Sequence, residues 1–537
     1  MKKNDIITLE ITDISVDGFG IGRYENIAVF VPFAAVGDTL RVLIVKVLKN
    51  YCFGKIVEFI DKSTARIDPD CNVFSKCGGC CYRHISYEEE MRIKHKRVAD
   101  AVERVGKLCA PINDIVGAHE LYGYRNKAQY PLSASLNAGF YAFHSHRVVP
   151  CNDCRLQPQE FSPIIETICS VLKSNNIPAY DEIKHTGIVR HIYLRKAEMT
   201  GEIMASLVIN SNRLKCEQQL VDAVSSAHPE VSTFVLNINK EKTNVILGRN
   251  NRTLYGKGYI TDILCGVKIK LSPLSFYQVN RAMAERLYGI AAEYAEPDGK
   301  IVLDLYCGAG TIGLSMAKRA ERIIGVEIVP DAVCDAKFNA KENGIENTEF
   351  ICGSAPDAAK RLQNEGLCPD VVIVDPPRKG LTVELIDTIT NDFSPERVVY
   401  VSCDPATLAR DLKKFGENGY AVKEVQPVDL FPRTAHVETV ALLSQRRPDE
   451  HIDITIDLTE FDTTAAELKA TYPEIKEYVL NKFGLKVSSL YISQVKTKCG
   501  IIERENYNKG KAGHRVPQCP KEKEDAIMDA LKHFKMI

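Results

Sequence analysis

Residues 301–327, IVLDLYCGAGTIGLSMAKRAERIIGVE, constrain this chain more than any other stretch. An apolar run leads into a glycine-rich turn, then a helical pattern, then a second apolar run that ends on an acid. That sequence of elements is the first half-unit of an open α/β sheet, with a ligand seated over the strand ends at a topological switch point. Gly308 and Gly310 remove side chains where backbone must approach the ligand, and Glu327 can accept hydrogen bonds from ribose hydroxyls. Gly308, Gly310 and Gly313 also satisfy G-x-G-x-x-G. On this stretch alone a nicotinamide dehydrogenase and an S-adenosylmethionine (SAM) methyltransferase both stay open.

The residues downstream decide between them. Further strand patterns follow at 348–353, 370–380, 397–411, 421–431 and 437–445, which makes seven with the first two. Mostly parallel strands with a closing hairpin predict the methyltransferase variant of the doubly wound sheet. Asp375 and Cys403 fall at the carboxyl ends of their strands, where ligands bind, so they can share a cleft with the methyl donor. A sulfonium is already a strong electrophile, but a pyrimidine C5 is a poor nucleophile and must be activated. A thiolate adding to C6 does this, and a carboxylate then removes the C5 proton. Cys403, Glu438 and Asp375 are the residues available. Cys403 is followed by Asp-Pro and a helix, a turn that exposes its side chain. Glu438 opens an otherwise apolar strand.

With 537 residues the chain should hold three or four domains. Its 69 Lys and Arg against 70 Asp and Glu leave a formal charge of −1, so contact with a polyanion must come from local patches. The start lacks the apolar core of a signal peptide, and no run of about 18 apolar residues follows. A cytoplasmic protein without a membrane segment is predicted, and no obligate protein partner is implied. In that setting 18 cysteines point to thiolate chemistry or metal binding rather than disulfides.

Residues 1–60 alternate apolar and polar positions between turns, as in about five short strands of a small antiparallel OB-type barrel. The turn GFGIGR (18–23) and the strand after it resemble a TRAM domain, an RNA-binding barrel attached to RNA-modifying enzymes, with Lys46, Lys49 and Lys55 as cations. Next, Cys71, Cys77 and Cys80 give C-x5-C-G-G-C. A fourth thiolate must come from elsewhere, with Cys151 or Cys154 of CNDCRLQP on offer. A tight triplet with a distant partner suits a [4Fe–4S] cluster better than zinc, whose structural ligands pair at both ends. The helical pattern MRIKHKRVADAVERVGK carries Arg92, Lys94, Lys96, Arg97, Arg104 and Lys107 on one face, either plainly solvated or offered to phosphate. YGYRNKAQYPL mixes aromatics with Arg125 and Lys127. Residues 133–275 read as an α+β domain closed by a strand near VKIKLSP, and Gln278 in SFYQVN sits where it can face the ligand pocket. Past Arg447 the pattern suggests a linker with one strand, then two short helices around a turn. From position 496 onward ten Lys and Arg stand against six Asp and Glu.

SFYQVN, DLYCGAGTIGL, VDPPRKG, SCDPATLARD and DLFPRTAHVETVALL, in this order, resemble the RNA (uracil-5-)-methyltransferase family. With the barrel, the cysteine motif and YRNKAQ, the similarity spans roughly residues 5–447 and is nearest the 23S ribosomal RNA branch. The resemblance implies Cys403 as nucleophile and Glu438 as proton-abstracting base. It implies Gln278, Tyr306 and Glu327 as SAM ligands beside Gly308, with Asp375 between cofactor and uracil. Arg125, with Lys127 beside it, would face the RNA. It further implies a [4Fe–4S] cluster on Cys71, Cys77, Cys80 and Cys154. Thr311 departs from the Asn that the ribosomal branch often carries in the glycine turn. The expected organisation is a TRAM-like barrel (1–60), a central α+β iron–sulfur domain (61–296), a Rossmann-like seven-stranded methyltransferase domain (297–447) and an extension (448–537) that is either a winged-helix-like nucleic-acid module or a solvated appendage or dimerisation patch. The alternatives are the same chemistry on tRNA, or a non-catalytic RNA-binding or folding factor. DNA cytosine methylation is disfavoured, because its nucleophile lies in Pro-Cys whereas this chain has Ser-Cys-Asp-Pro.

Overall fold

The computed structural model of the chain describes residues 1–446, 471–499, 518–534 and 536–537. Seven apolar runs form one sheet: β1 (Ile301–Leu305), β2 (Arg322–Glu327), β3 (Thr348–Cys352), β4 (Val371–Val374), β5 (Arg397–Ser402), β6 (Tyr420–Val428) and β7 (Glu438–Gln445). Their order across the sheet is β3-β2-β1-β4-β5-β7-β6. β1 to β5 pair in parallel, and β7 runs antiparallel to both β5 and β6. Strands covered on both faces read as continuous apolar runs, which is why VVIV and RVVYVS lack alternation.

One face is covered by the helix Arg281–Ala295 and the hairpin Ile260–Leu264 with Val267–Leu271, through Leu287, Ala291, Ile269 and Leu271. On the other face Leu362, Leu385, Leu408 and Phe415 pack over Leu303, Val326, Val372 and Tyr400. Each fully buried large aliphatic side chain contributes about 1.5–3 kcal/mol, so the two layers together hold the sheet rigid. Strand order reverses between β1 and β4, and the crevice opens there, outside their carboxyl ends.

The amino-terminal sheet has six strands rather than about five. They are Ile6–Glu10, Asp13–Ile14, Gly20–Tyr24, Ile27–Val31, Thr39–Val47 and Tyr51–Asp61. Ile27–Val31 runs parallel to Tyr51–Asp61, the one departure from antiparallel pairing in this sheet. Alternation is identical in parallel and antiparallel strands, so the pattern could not reveal it. Leu9, Val29, Val31, Leu40 and Val42 fill the interior. Outside it, Phe143, Phe19, Phe53, Phe30 and Tyr51 form a continuous strip, with neighbouring ring centroids 5.5–6.3 Å apart. Lys46 and Lys55 are exposed on the strands Thr39–Val47 and Tyr51–Asp61, and Lys49 in the bend between them.

A five-stranded sheet follows, ordered Asn250–Tyr255, Val231–Ile238, Ile203–Ile209, Val189–Lys196 and Lys127–Pro131, with helices Phe161–Ser174 and Glu217–Ala227. The VKIKL strand does not close it. That strand pairs with Ile260–Leu264 and packs into the core of the seven-stranded sheet, because Val267, Ile269 and Leu271 match that apolar layer.

The helix Tyr87–Asp100 also departs from its sequence reading. Arg92 pairs with Glu89, Lys94 with Glu90 and Asp429, Lys96 with Asp13 and Asp100, and Arg104 with Asp100. Arg97 donates to the carbonyl of Ala435 at 2.6 Å. Lys94 is therefore buried in an internal network, whereas Arg92 and Arg104 keep exposed side chains alongside their ion pairs. Among the described residues no helix is long and apolar enough to cross a membrane.

The chain divides into two compact units, Met1–Pro448 and Asp449–Ile537. In the second, helices Tyr472–Phe483 and Ser489–Lys498 are the two expected around a turn, with Gly484 at φ 68° ending the first and Ser488 capping the second. A third helix, Lys521–His533, joins them around Ile475, Val479, Ile492, Ile527 and Leu531. The expected strand in the linker, and much of the basic tail, lie outside the described residues. Ile492 is fully buried. Ile492→Ala should remove about 2–5 kcal/mol from the second unit. In calorimetry its transition should move down while the transition of Met1–Pro448 stays in place.

Candidate active site

The turn after β1 is built for close approach. Tyr306, Gly308 and Gly310 all take positive φ, at 68°, 56° and 78°. A Cβ on Gly308 would meet nothing within 4 Å, so this position faces open crevice, whereas one on Gly310 would press on Phe350 at 3.0 Å. The Gly308 N–H donates to Glu327 Oε2 at 3.1 Å, and Val329 N–H donates to Oε1 at 2.8 Å, which fixes the acid at the end of β2. Asp304 is buried and accepts from Gly313 N–H at 3.0 Å, anchoring the helix Thr311–Met316. Burial, reinforced by Asp375 and Glu327, pushes the Asp304 carboxyl up to about 7.

The register of β5 against β7 assembles the second half of the site. Ser402 pairs with Thr439 in an antiparallel ladder. The next residue out of β5 is Cys403 and the residue before Thr439 is Glu438, so the two face the same end of the sheet. Cys403 is half-buried and Glu438 is 5 % exposed. Burial, then the charges of Glu438 and Asp375, raises the Cys403 thiol to about 11 against the opposing pull of Arg378. Burial, then Asp375, raises Glu438 to about 8, again opposed by Arg378. Burial brings Asp375 to about 7. The crevice therefore gathers acids whose shared negative charge has little compensation.

The loop from Asp375 is clamped to the helix that follows Cys403. Thr407 donates through its hydroxyl to the Arg378 carbonyl at 3.0 Å, and Asp411 accepts from Leu381 N–H at 2.8 Å and from the Tyr400 hydroxyl at 2.7 Å. Gly380 has φ 75°, and a Cβ there would lie 2.3 Å from Thr407 and 2.4 Å from Asp411. Asp404 caps that helix by accepting from Thr407 N–H at 2.9 Å, an interaction worth about 1 kcal/mol.

Of the other residues singled out in the sequence, Gln278 joins this group. Its backbone is held by Asn126 of the YRNKAQ segment, whose side chain donates to the Gln278 carbonyl at 3.0 Å. Its side chain hydrogen-bonds the hydroxyl of buried Tyr288, which also lies 3.4 Å from the Thr311 hydroxyl and feels the charge of Asp375. Tyr288 escaped the sequence reading. Its only signal is a hydroxyl on a mostly apolar helix face, shared with Met283, Ala284, Leu287, Ala291 and a second tyrosine, Tyr294. Tyr306 is half-buried on the opposite layer of the sheet, packed with the core around Tyr400. Lys127 is half-buried within its strand opposite Arg195, and burial lowers its ammonium to about 8.

Arg125 lines a separate cavity of about 60 Å³ together with Cys71, Cys77, Cys80, Cys151 and Cys154. Arg83, 2 % exposed, also lines it, and its guanidinium pairs with Asp70 at 2.5 Å while Nε and NH2 find no partner. The guanidinium lies beside Cys80, whose charge holds it protonated. Among the described residues no three His, Cys, Asp or Glu side chains converge tightly enough to hold a single metal ion.

The profile of the tRNA (Uracil-5-)-methyltransferase family matches residues 246–446, and that of the TRAM domain matches residues 2–57. An RNA methyltransferase of Halalkalibacterium halodurans, named as uncharacterized, is 42 % identical over 448 residues, 82 % of this chain and 98 % of that protein. One of Clostridium acetobutylicum, similarly named, is 42 % identical over 83 % of this chain and 98 % of its own. The crystal structure of Pyrococcus abyssi tRNA (uracil-54, C5)-methyltransferase with S-adenosyl-L-homocysteine aligns at TM-score 0.67 and 26 % identity, over 81 % of this chain and 99 % of that one.

The raised Glu438 carboxyl has a consequence for stability. Its folded value, about 8, lies above its ordinary 4.5. Folding then favours the protonated form, and stability falls as pH rises between those two values. Glu438→Gln, which imitates the neutral acid, should match the parent melting temperature near pH 4.5 and exceed it increasingly up to about pH 8. Thermal melts across that range test this, and a constant difference would contradict it.

Proposed function

The chain belongs to the RNA uracil-5-methyltransferase family, and from that premise we propose that it methylates uridine C5 in 23S ribosomal RNA, with Cys403 as nucleophile and Glu438 as base. The enzyme is SAM-dependent, and SAM is consumed as co-substrate. The observation that carries the reading is the shared ladder end of Cys403 and Glu438 beside Asp375.

In the proposed reaction the Cys403 thiolate adds to C6 of the uracil ring, leaving an enolate whose C5 takes the methyl group as the C–S bond of the sulfonium breaks. Glu438 then accepts the C5 proton, the C6–S bond breaks, and Cys403 is released with 5-methyluridine and S-adenosylhomocysteine as products. Gly308, Gln278, Tyr306 and Glu327 hold the co-substrate, and Asp375 stands between it and the uracil. The charge of the pocket supports the assignment. A sulfonium among Asp375, Glu438 and Cys403 is the cation that lowers their pKa values and readies base and thiolate. A stacked base cannot present both faces, so the uridine is taken from a loop or flipped out.

The strip of Phe19, Phe30, Tyr51, Phe53 and Phe143, flanked by lysines, suits stacking of unpaired bases at about 1–3 kcal/mol each. Arg125 and Lys127 remain our candidate RNA contacts, Arg125 from the rim of the cysteine cavity. The division of labour we infer is RNA capture by residues 1–60, support by 61–296, methyl transfer by 297–447 and an auxiliary nucleic-acid module in 448–537. All of this fits a cytoplasmic RNA enzyme.

We propose that Cys71, Cys77, Cys80 and Cys154, which line one cavity with Cys151, would hold a [4Fe–4S] cluster, a reading supported by the family resemblance and by their shared cavity. The buried Arg83 guanidinium beside Cys80 would meet an anionic cluster. A single zinc needs its sulfurs about 3.8 Å apart, given a Zn–S length of about 2.3 Å. Among the described residues no group of three His, Cys, Asp or Glu side chains could hold a single metal ion, and the preference for four irons rests on the spacing of the cysteines in the sequence. Such a cluster would tie separate chain segments together, and the methyl transfer written above needs no electron.

A tRNA substrate is the second reading, favoured by the target of the Pyrococcus abyssi enzyme and by the family name. Labelled SAM supplied with total RNA from cells lacking the protein separates the two. Label recovered as 5-methyluridine in large ribosomal RNA is expected, and label in tRNA would move the substrate while keeping the chemistry. Cys403→Ser should lose turnover on the order of 10⁴-fold or more and still bind SAM.

A further inference from the structure

Glu438 stands at the end of a loop, residues 429–437, whose anchors lie outside the seven-stranded sheet. Lys94 Nζ, 1 % exposed, donates to Glu90 Oε1 and Asp429 Oδ1, each at 2.7 Å, and to the Phe431 carbonyl at 3.1 Å. Arg433 N–H donates to the same Glu90 Oε1 at 2.7 Å, and its guanidinium donates to the Ile85 carbonyl at 3.1 Å. The Tyr87 hydroxyl donates to Asp429 Oδ2 at 2.8 Å. Arg433 is held at φ 70°, with its carbonyl accepting from the N–H groups of Cys81 (3.0 Å) and Tyr82 (3.2 Å), the residues that follow Cys80. The Tyr124 hydroxyl donates to the Pro432 carbonyl at 2.8 Å.

Two carboxylates and two cations, none more than 6 % exposed, are thus locked around one loop. A buried network of this kind adds little net stability over an apolar filling of the same volume, and its value lies in holding one geometry. Residues 429–437 are also held by Arg97 at the Ala435 carbonyl, by Asn280 at the Leu430 carbonyl (3.1 Å) and through Asp429 N–H to the Val116 carbonyl (2.9 Å), and the buried charges are the ionic part of that anchoring. Proton abstraction needs the carboxylate within about 3 Å of the C5 hydrogen, and a misplacement of about 1 Å can cost about a hundredfold.

We propose that Glu90, Lys94, Asp429 and Arg433 form the positioning device for the Glu438 carboxylate. They hold it from the cysteine-bearing segment and its following helix, so that loosening them slows proton removal after methyl transfer. The inference rests on the reading of Glu438 as base. It gives the buried Lys94 and Glu90 of the helix Tyr87–Asp100 a positioning role.

The test uses the full chain with target RNA and labelled SAM, comparing Lys94→Met and Tyr87→Phe with Glu438→Gln as reference. Glu438→Gln should accumulate a methylated, denaturant-stable protein–RNA adduct, because methylation precedes proton removal. Lys94→Met should lose turnover by about tenfold to a hundredfold, keep SAM affinity and single-turnover methyl transfer, and accumulate the same adduct. Tyr87→Phe removes one hydroxyl from the network and should show the adduct to a smaller extent, and it decides the matter if Lys94→Met does not fold. Lost turnover in a folded variant without adduct, or unchanged turnover in both, would overturn the positioning role while leaving Glu438 as base. Absence of adduct in Glu438→Gln itself would instead sink the base assignment, and the inference with it.

Discussion

The antiparallel pairing of β5 with β7 is the constraint on which the site depends. A sheet of parallel strands alone would bring all carboxyl ends to one edge and all amino ends to the other. Reversing one strand brings an amino end to the ligand edge, so a residue leaving β5 and a residue entering β7 become neighbours. Ser402 opposite Thr439 fixes that meeting to a single register, and a slip by one residue would turn Glu438 to the other face of the sheet. The buried layers on both sides make such a slip costly, so packing and chemistry are secured by the same ladder.

The electrostatics follow from placing acids at that meeting point. Asp375, Glu438 and Cys403 repel one another's ionised forms, and Arg378 offsets only part of this. The free site is therefore poised for a cation, the property a sulfonium co-substrate brings. Asp304, buried beneath the glycine turn, extends the same acidic field while its hydrogen bond to Gly313 shapes the turn. In the proposed mechanism, binding of the co-substrate and the readying of Cys403 and Glu438 would share one source.

Much of this was legible in the sequence because it is local. The seven strands, the Gly308 turn, and Cys403 and Glu438 at strand ends each follow from a short window of residues. What was missed depends on partners far along the chain. The cations of the helix Tyr87–Asp100 look solvated in a window, yet Lys96 finds Asp13 and Lys94 finds Asp429. Tyr288 hides on an apolar helix face, and VKIKL reads as a strand without showing which sheet it joins. The cysteine cavity was half legible, since the triplet was plain but Cys151 and Cys154 both line it.

The account is tested most directly by offering the unaltered protein SAM and target RNA containing 5-fluorouridine, then digesting and mapping any denaturant-stable product. Fluorine at C5 cannot leave as a proton does, so the pathway should halt after methyl transfer with the RNA bonded to the peptide that contains Cys403. No adduct from protein that methylates ordinary RNA, or an adduct on another residue, would contradict the assignment of Cys403 as nucleophile.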